Sequence, residues 1–285
     1  MDEKILDLYD EYEKGSLDRR EFFKKLATLA GGTAAALGIL PFLEGSYAEA
    51  QVVSKDDPRL HVEDIKYPAE TGDMLAHYAR PKGETKLPGV IVIHENRGLN
   101  PHTRDVARRV ALEGFLAVAP DACSPLGGTP EDVDAARSKM QELDADTTVK
   151  NFVAAVKYLK THPQSTGKVG CMGFCWGGGM TNQVAVNAPD LNAAVPFYGR
   201  QPAADDVLKI KASVLCHYAG LDERVNAGIE TFEAAMTKAG VEYKIYMYEG
   251  AAHAFFNDTS TRYHEEAAKL AWKRTIAFFN KKLKT

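Results

Sequence analysis

Cysteine is scarce in this chain: four among 285 residues, Cys123, Cys171, Cys175 and Cys216. No two stand in C-x-x-C spacing and none joins a histidine cluster, which excludes the common redox pair and the structural zinc sites, so no metal is expected. Long hydrophobic runs are missing as well. Leu26 to Leu43 is only mildly apolar and rich in alanine and glycine, short of the roughly 20 strongly apolar residues of a membrane span. No basic stripe is interleaved with aromatics, and Lys+Arg 35 against Asp+Glu 39 leaves a net charge of −4, so nucleic acid is not an expected partner. Neither an internal repeat nor a low-complexity tract is present. What remains is ordinary globular composition, 45% hydrophobic, enough for one large core. The expected division is an N-terminal extension, 1–50, and one domain, 51–285.

The extension carries an address. Ser16-Leu17-Asp18-Arg19-Arg20-Glu21-Phe22-Phe23-Lys24-Lys25 sets an arginine pair before two phenylalanines. The mildly apolar stretch follows, then small-x-small sites at Ser46-Tyr47-Ala48 and Ala48-Glu49-Ala50. That order resembles a twin-arginine export signal, so a periplasmic or extracellular location is expected. Residues 1–15 are acidic and place Ile5, Leu6, Leu8, Tyr9 and Tyr12 at helical spacing, which supports an alternative. In that case an amphipathic helix and an apolar arm stay on a cytoplasmic protein.

Downstream, strand and helix patterns alternate. Apolar residues from Leu60 to Arg80 alternate about Glu70-Thr71-Gly72-Asp73 and predict a hairpin. Leu87 to Glu95 is a continuous β-branched run, and Phe115–Pro120, Lys168–Met172, Asn192–Tyr198, Ala212–Tyr218 and Tyr243–Tyr248 are further candidate strands. Helices are predicted near 104–113, 130–142, 146–162, 226–239 and 261–281. The alternation specifies an α/β fold with a mostly parallel central sheet and helices on both faces.

Gly173-Phe174-Cys175-Trp176-Gly177 carries the most chemistry. It is the G-x-S-x-G nucleophile elbow with cysteine in place of serine, between a short apolar strand and a glycine-led helix. The glycines permit a turn so tight that a β-carbon would crowd it, and the central side chain projects from the sheet. Cys171 and Cys216, inside apolar strand runs, read instead as small buried hydrophobes. Cys123, in a loop after Pro120-Asp121-Ala122, has no assigned role.

A thiol nucleophile needs a base and an acid that orients the base, in the chain order nucleophile, Asp/Glu, His. Asp222, in Ala219-Gly220-Leu221-Asp222-Glu223-Arg224-Val225, fits the second place, with a helix N-cap as its alternative role. His253, in Glu249-Gly250-Ala251-Ala252-His253-Ala254-Phe255, fits the third. Its rivals are His94, His102, His217 and His264. Of these, His94 and His217 read as hydrogen-bonded structural residues at strand ends, and His264 as solvent-facing on the last helix. Glu95, in His94-Glu95-Asn96-Arg97-Gly98, is either a carboxylate close to the thiol or a structural group paired with Arg97 or Arg200. The backbone N–H groups of Asn96 and Trp176 are the expected oxyanion donors.

Taken together, Glu95, Gly173-Phe174-Cys175-Trp176-Gly177-Gly178, Asp222 and Ala252-His253-Ala254-Phe255 resemble the dienelactone hydrolase (carboxymethylenebutenolidase) family, over roughly Val62 to Leu283. The resemblance implies an α/β-hydrolase domain with a Cys175/His253/Asp222 triad. It also implies that Glu95 meets the thiol at rest and helps to form thiolate, that an acyl-cysteine is hydrolysed by water, and that no metal or organic cofactor takes part. The implied partner is a small-molecule ester or lactone. Members of the family that bind a carboxylated lactone place an arginine four residues after the catalytic histidine; that position is Asn257 here. Arg97 and Arg200 then become the candidates for holding an anionic substrate group. A thioesterase or peptidase using the same triad, a redox-active thiol, and a non-catalytic protein of hydrolase fold are the alternatives.

Overall fold

The segment Leu87-Pro88-Gly89-Val90-Ile91-Val92-Ile93 has no polar side chain to offer solvent, and it forms the middle strand of the molecule. The computed structural model describes residues 3–13, 17–44 and 52–285. It opens with helices α1 (Glu3–Glu13), α2 (Arg19–Ala30) and α3 (Thr33–Glu44), followed by strands β1 (Leu60–Ala69), β2 (Gly72–Pro81) and β3 (Leu87–Ile93). Helix α4 (Pro101–Leu112), strand β4 (Leu116–Pro120), helices α5 (Val133–Glu142) and α6 (Ala145–Thr161), strand β5 (Ser165–Phe174) and helix α7 (Trp176–Asn187) come next. The chain closes with β6 (Ala193–Phe197), β7 (Ser213–Ala219), the short α8 (Glu223–Asn226), α9 (Ile229–Ala239), β8 (Tyr243–Tyr248) and α10 (Glu265–Leu283).

The eight strands form one sheet in the order β1-β2-β4-β3-β5-β6-β7-β8. The β1–β2 hairpin and the β2–β4 pair are antiparallel, and every other pair is parallel. Side chains alternate across the sheet, so each central strand feeds two cores. Ile91, Ile93, Cys171 and Cys216 pack on one face with Phe152 and Leu159 of α6, Val184 of α7 and Phe232 of α9. Val90, Val92, Met172 and Leu215 pack on the other with Val106 and Val110 of α4 and Ile276 and Phe279 of α10. Helix α10 lies close on β5 because Gly170 has no side chain: a β-carbon there would sit 2.8 Å from the Phe279 ring. Burial lifts the thiols of Cys171 and Cys216 to about 12, as expected of small hydrophobes.

Four helix starts differ from the sequence reading by three or four residues, at α4, α5, α9 and α10, and in α4 and α10 a side chain caps the first turn. Asn100 accepts from the Thr103 N–H with Pro101 behind it, so α4 begins before residue 104. His264 Nδ1 accepts from the Ala267 N–H, so α10 begins at Glu265 rather than near 261. His264 is therefore a half-buried cap and not a solvent-facing helix residue.

The N-terminal helices bury their apolar side chains against one another. Ile5, Leu8, Tyr9, Tyr12, Phe22, Leu26 and Ala36 form a cluster separate from both sheet cores, with Tyr12 stacked on Phe22 at 4.3 Å. The arm docks on the sheet domain by polar and cation–π contacts. The Tyr12 hydroxyl donates to Asp134 at 2.5 Å, Arg137 lies 4.1 Å over the Tyr12 ring, and Arg19 pairs with Asp134. Arg97 bonds the Tyr9 hydroxyl, and Arg262 lies 5.5 Å over the same ring. Arg19 thus occupies the first turn of α2, while the small-x-small sites at 46–50 lie outside the described residues. Among the described residues no helix is long and apolar enough to cross a membrane.

Candidate active site

The site lies where the parallel strands end at their carboxyl termini. Cys175 links β5 to α7 with φ 55° and ψ −114°, a left-handed conformation that residues with a β-carbon rarely adopt. Its neighbours show why glycine is needed. A β-carbon on Gly173 would lie 2.2 Å from the Gly177 carbonyl oxygen, one on Gly177 would lie 2.3 Å from the His94 carbonyl oxygen, and one on Gly178 would lie 2.4 Å from that of Phe197. The elbow is thus wedged between the ends of β3 and β6. The Cys175 N–H donates to the Phe197 carbonyl at 3.1 Å, and the Cys175 carbonyl accepts from the Gly179 N–H at 3.1 Å.

His253 and Asp222 reach the elbow from the loops after β8 and β7. His253 Nδ1 bonds Asp222 Oδ2, and the Cys175 side chain bonds the same imidazole. Burial alone would push the imidazole down. The charge of Cys175 and then the bonds to Asp222 and Cys175 outweigh it, and the group is raised to about 10. For Asp222, burial pushes upward, but the hydrogen bond and charge of His253 prevail and the carboxyl stays below its ordinary range. The N-cap reading of Asp222 holds at the same time, since Oδ1 accepts from the Val225 N–H at 3.4 Å. One carboxylate starts α8 and orients the histidine.

Glu95 is 7% exposed and accepts a hydrogen bond from Asn257 Nδ2 at 2.8 Å. It is therefore held by a neutral amide, not by Arg97 or Arg200. The rival histidines have structural partners. His94 Nδ1 donates to the Glu95 carbonyl at 2.6 Å and Nε2 accepts from the Ala122 N–H at 3.1 Å, with the ring stacked on Trp176. His217 bonds Thr275 and Tyr248, and His102 bonds Asp258.

A cavity of about 600 Å³ opens over the thiol, and Cys175, His253, Asn96 and Trp176 all line it. Arg200 lines it too, as do Arg224 and Arg262, which the sequence reading did not select. No aspartate or glutamate is among the described lining residues. Arg97 is absent from that wall and lies buried under Tyr9 of α1. Tyr198 was also missed. It follows β6 at φ 38°, lines the cavity, and sets its ring edge-on to His253 at 5.0 Å. The Phe197-Tyr198-Gly199 sequence held a signal, since a β-carbon on Gly199 would lie 2.2 Å from Gly178. Read by periodicity alone, Tyr198 was simply the last residue of a strand.

Residues 74–283 match the Dienelactone hydrolase family. A protein of Salmonella typhi provisionally named carboxymethylenebutenolidase is 34% identical over 228 residues, covering 74% of this chain and 84% of that protein. One of Saccharolobus solfataricus with the same provisional name is 31% identical over 256 residues, covering 76% of this chain and 98% of that protein. The crystal structure of a provisionally named dienelactone hydrolase from Klebsiella pneumoniae superposes with a TM-score of 0.69 at 29% identity, covering 77% of this chain and 98% of that one.

Proposed function

Because the chain belongs to the dienelactone hydrolase family, we propose that it hydrolyses small carboxylic esters or lactones with Cys175 as nucleophile. The observation that most supports this reading is the contact chain from Cys175 through the buried His253 to the buried Asp222 at the edge of the cavity. The thiolate of Cys175, with its proton held on His253, attacks the carbonyl carbon. The oxyanion that develops accepts from the N–H groups of Trp176 and Asn96. His253 returns its proton to the departing alkoxide, leaving an acyl-cysteine. Water, deprotonated by the same imidazole, then attacks the thioester, and the thiolate leaves.

Arg200, Arg224 and Arg262, on a wall without carboxylates, favour a substrate that carries an anionic group away from the reacting carbonyl. Export remains the proposed fate of residues 51–285, supported by the order of arginine pair, apolar stretch and small-residue site.

Cys175→Ala is expected to lower kcat/KM on an activated ester at least about a thousandfold, with His253→Ala similar and Asp222→Asn somewhat milder. Undiminished hydrolysis by Cys175→Ala would overturn the assignment. A panel of lactones and esters with and without a carboxylate tests the substrate class, and no preference for the anionic members would remove the arginines from it.

A further inference from the structure

One side chain ties two parts of the cavity wall together. Arg200 stands in the loop after β6, and its carbonyl accepts from Nδ2 of the buried Asn182 of α7 at 2.9 Å. The next residue, Gln201, reaches across to α8, where its Nε2 donates to the Val225 carbonyl at 3.0 Å. A carbonyl can only accept, so the amide nitrogen faces Val225 and Oε1 faces the other way. Oε1 lies against Gly228, where a β-carbon would come within 2.4 Å of it. Gly228 has φ −94°, which any residue adopts, so it is the Gln201 amide that leaves no room for a side chain there.

Helix α8 has only four residues and needs such ties. On one side it is bound back to its own strand. The Ala219 carbonyl at the end of β7 accepts from the Asp222 N–H at 3.2 Å and from Asn226 Nδ2 at 2.8 Å. The Val225 N–H donates to Asp222 Oδ1 at 3.4 Å. Those bonds hold the candidate acid without help from Gln201. On the other side, the Gln201 amide holds the carbonyl one residue beyond Arg224. Arg200, Gln201, Arg224 and Val225 all line the cavity that contains Cys175.

We propose that Gln201 is a positioning residue for anionic substrates: by bridging the loop after β6 to α8, it keeps Arg224 on the same cavity wall as Arg200, where the two guanidiniums together receive a carboxylate. This rests on the reading of that wall as the place for an anionic group, and it adds the residue that ties two of its arginines. Both side chains are exposed on long flexible stems, and their like charges repel. Fixing the two backbones relative to one another keeps the guanidiniums convergent before substrate arrives. An amide does this without adding charge to the wall, which a carboxylate or a cation at position 201 could not do.

The test is the rate of Cys175 alkylation by iodoacetate, which carries a carboxylate, divided by the rate with neutral iodoacetamide, the modified peptide being identified by mass. Cys123, Cys171 and Cys216 are buried and their thiols are raised, so Cys175 is the thiol that reacts. Arg224→Ala is expected to lower the ratio about threefold, the scale of an exposed ion pair. Gln201→Met keeps the length of the side chain and loses the donor. It is expected to lower the ratio about twofold and leave the iodoacetamide rate in place. In the Arg224→Ala background, Gln201→Met is expected to change the ratio no further, because it acts through that arginine. A merely structural role would slow both reagents alike and leave the ratio of Gln201→Met unchanged, which overturns the proposal, as does a further fall in the double variant. An unchanged ratio in Arg224→Ala overturns the reading of Arg224 as part of the anion wall, and the proposal with it; an effect of Arg224→Ala without one of Gln201→Met overturns the proposal alone. Should Gln201→Met not fold, Gly228→Ala pushes the amide aside with Gln201 still present, and an unchanged ratio there overturns the proposal equally. Alkylation requires no turnover, so the outcome is separate from the hydrolysis of esters by Cys175→Ala.

Discussion

Cys175 holds a backbone conformation that costs about 1–3 kcal/mol, and Tyr198 and Ala254 share its positive φ nearby. The strain gathers at one end of the sheet, in the loops that carry the candidate site. The same thiol dominates the protonation of its neighbour. The His253 imidazole is raised from 6.5 to about 10, so its contribution to stability is complete below about 6.5 and is lost as pH rises through 10. Asp222 is lowered from 3.8, so its contribution is present above that value and is lost as pH falls through its lowered range. Cys175→Ala removes the largest cause that raises the imidazole. The melting temperature of that variant is expected to begin its alkaline decline at lower pH than the natural chain, in a series from about pH 7 to about pH 11. Coincident declines would mean that Asp222 alone sets the imidazole.

The elbow shows how local sequence and tertiary contact combine in single elements. β5 and α7 are joined by a turn whose glycines touch β3 and β6, so the pentapeptide was legible without coordinates but the reason for the glycine that follows it, Gly178, was not. Strands were read well because β-branched runs buried on both faces have few other places to go. Helix starts were read less well. Asn100 and His264 set two of them through single side-chain bonds that leave no periodic trace, and α8, at four residues, is too short for any period. The cavity wall was the least legible part. Arg200 and Arg262 come from two different loops and Arg224 from α8, and only the sheet order brings them to one wall. For α10, the close approach over Gly170 makes Phe279 the anchor: it is fully buried and meets Phe115 edge-on at 6.0 Å. Phe279→Ala is expected to cost about 3–5 kcal/mol in urea unfolding at neutral pH. A loss below about 1 kcal/mol would show that the helix recloses over the gap.

The molecule as a whole has a sheet domain with two cores and an arm with a third. Because the cluster of Ile5, Leu8, Tyr9, Tyr12, Phe22 and Leu26 shares no residue with the sheet cores, the arm adds little to the stability of the domain. Its docking contacts are polar and aromatic, the kind that exchange readily with water. A chain of residues 51–285 is expected to unfold in one cooperative transition with a melting temperature within a few degrees of the full chain, as calorimetry would read. A truncated chain without a cooperative transition would make the arm part of the fold. The arm also lies over Arg97 and Arg262, so its presence decides how much of the positive surface beside the cavity is open to solvent.

The chain has two tryptophans, and they sit in very different places. Trp176 is the residue after the thiol, its indole lying within 8° of parallel to His94 at 5.4 Å. Burial keeps that imidazole below its ordinary range and hence neutral, in a form that does not quench an indole as an imidazolium does. Trp272 is on α10 at the far side of the sheet, with its N–H on Glu113. The two indoles therefore offer an optical gauge: alkylation of the sulfur is expected to alter the light from one, while the other serves as the internal standard.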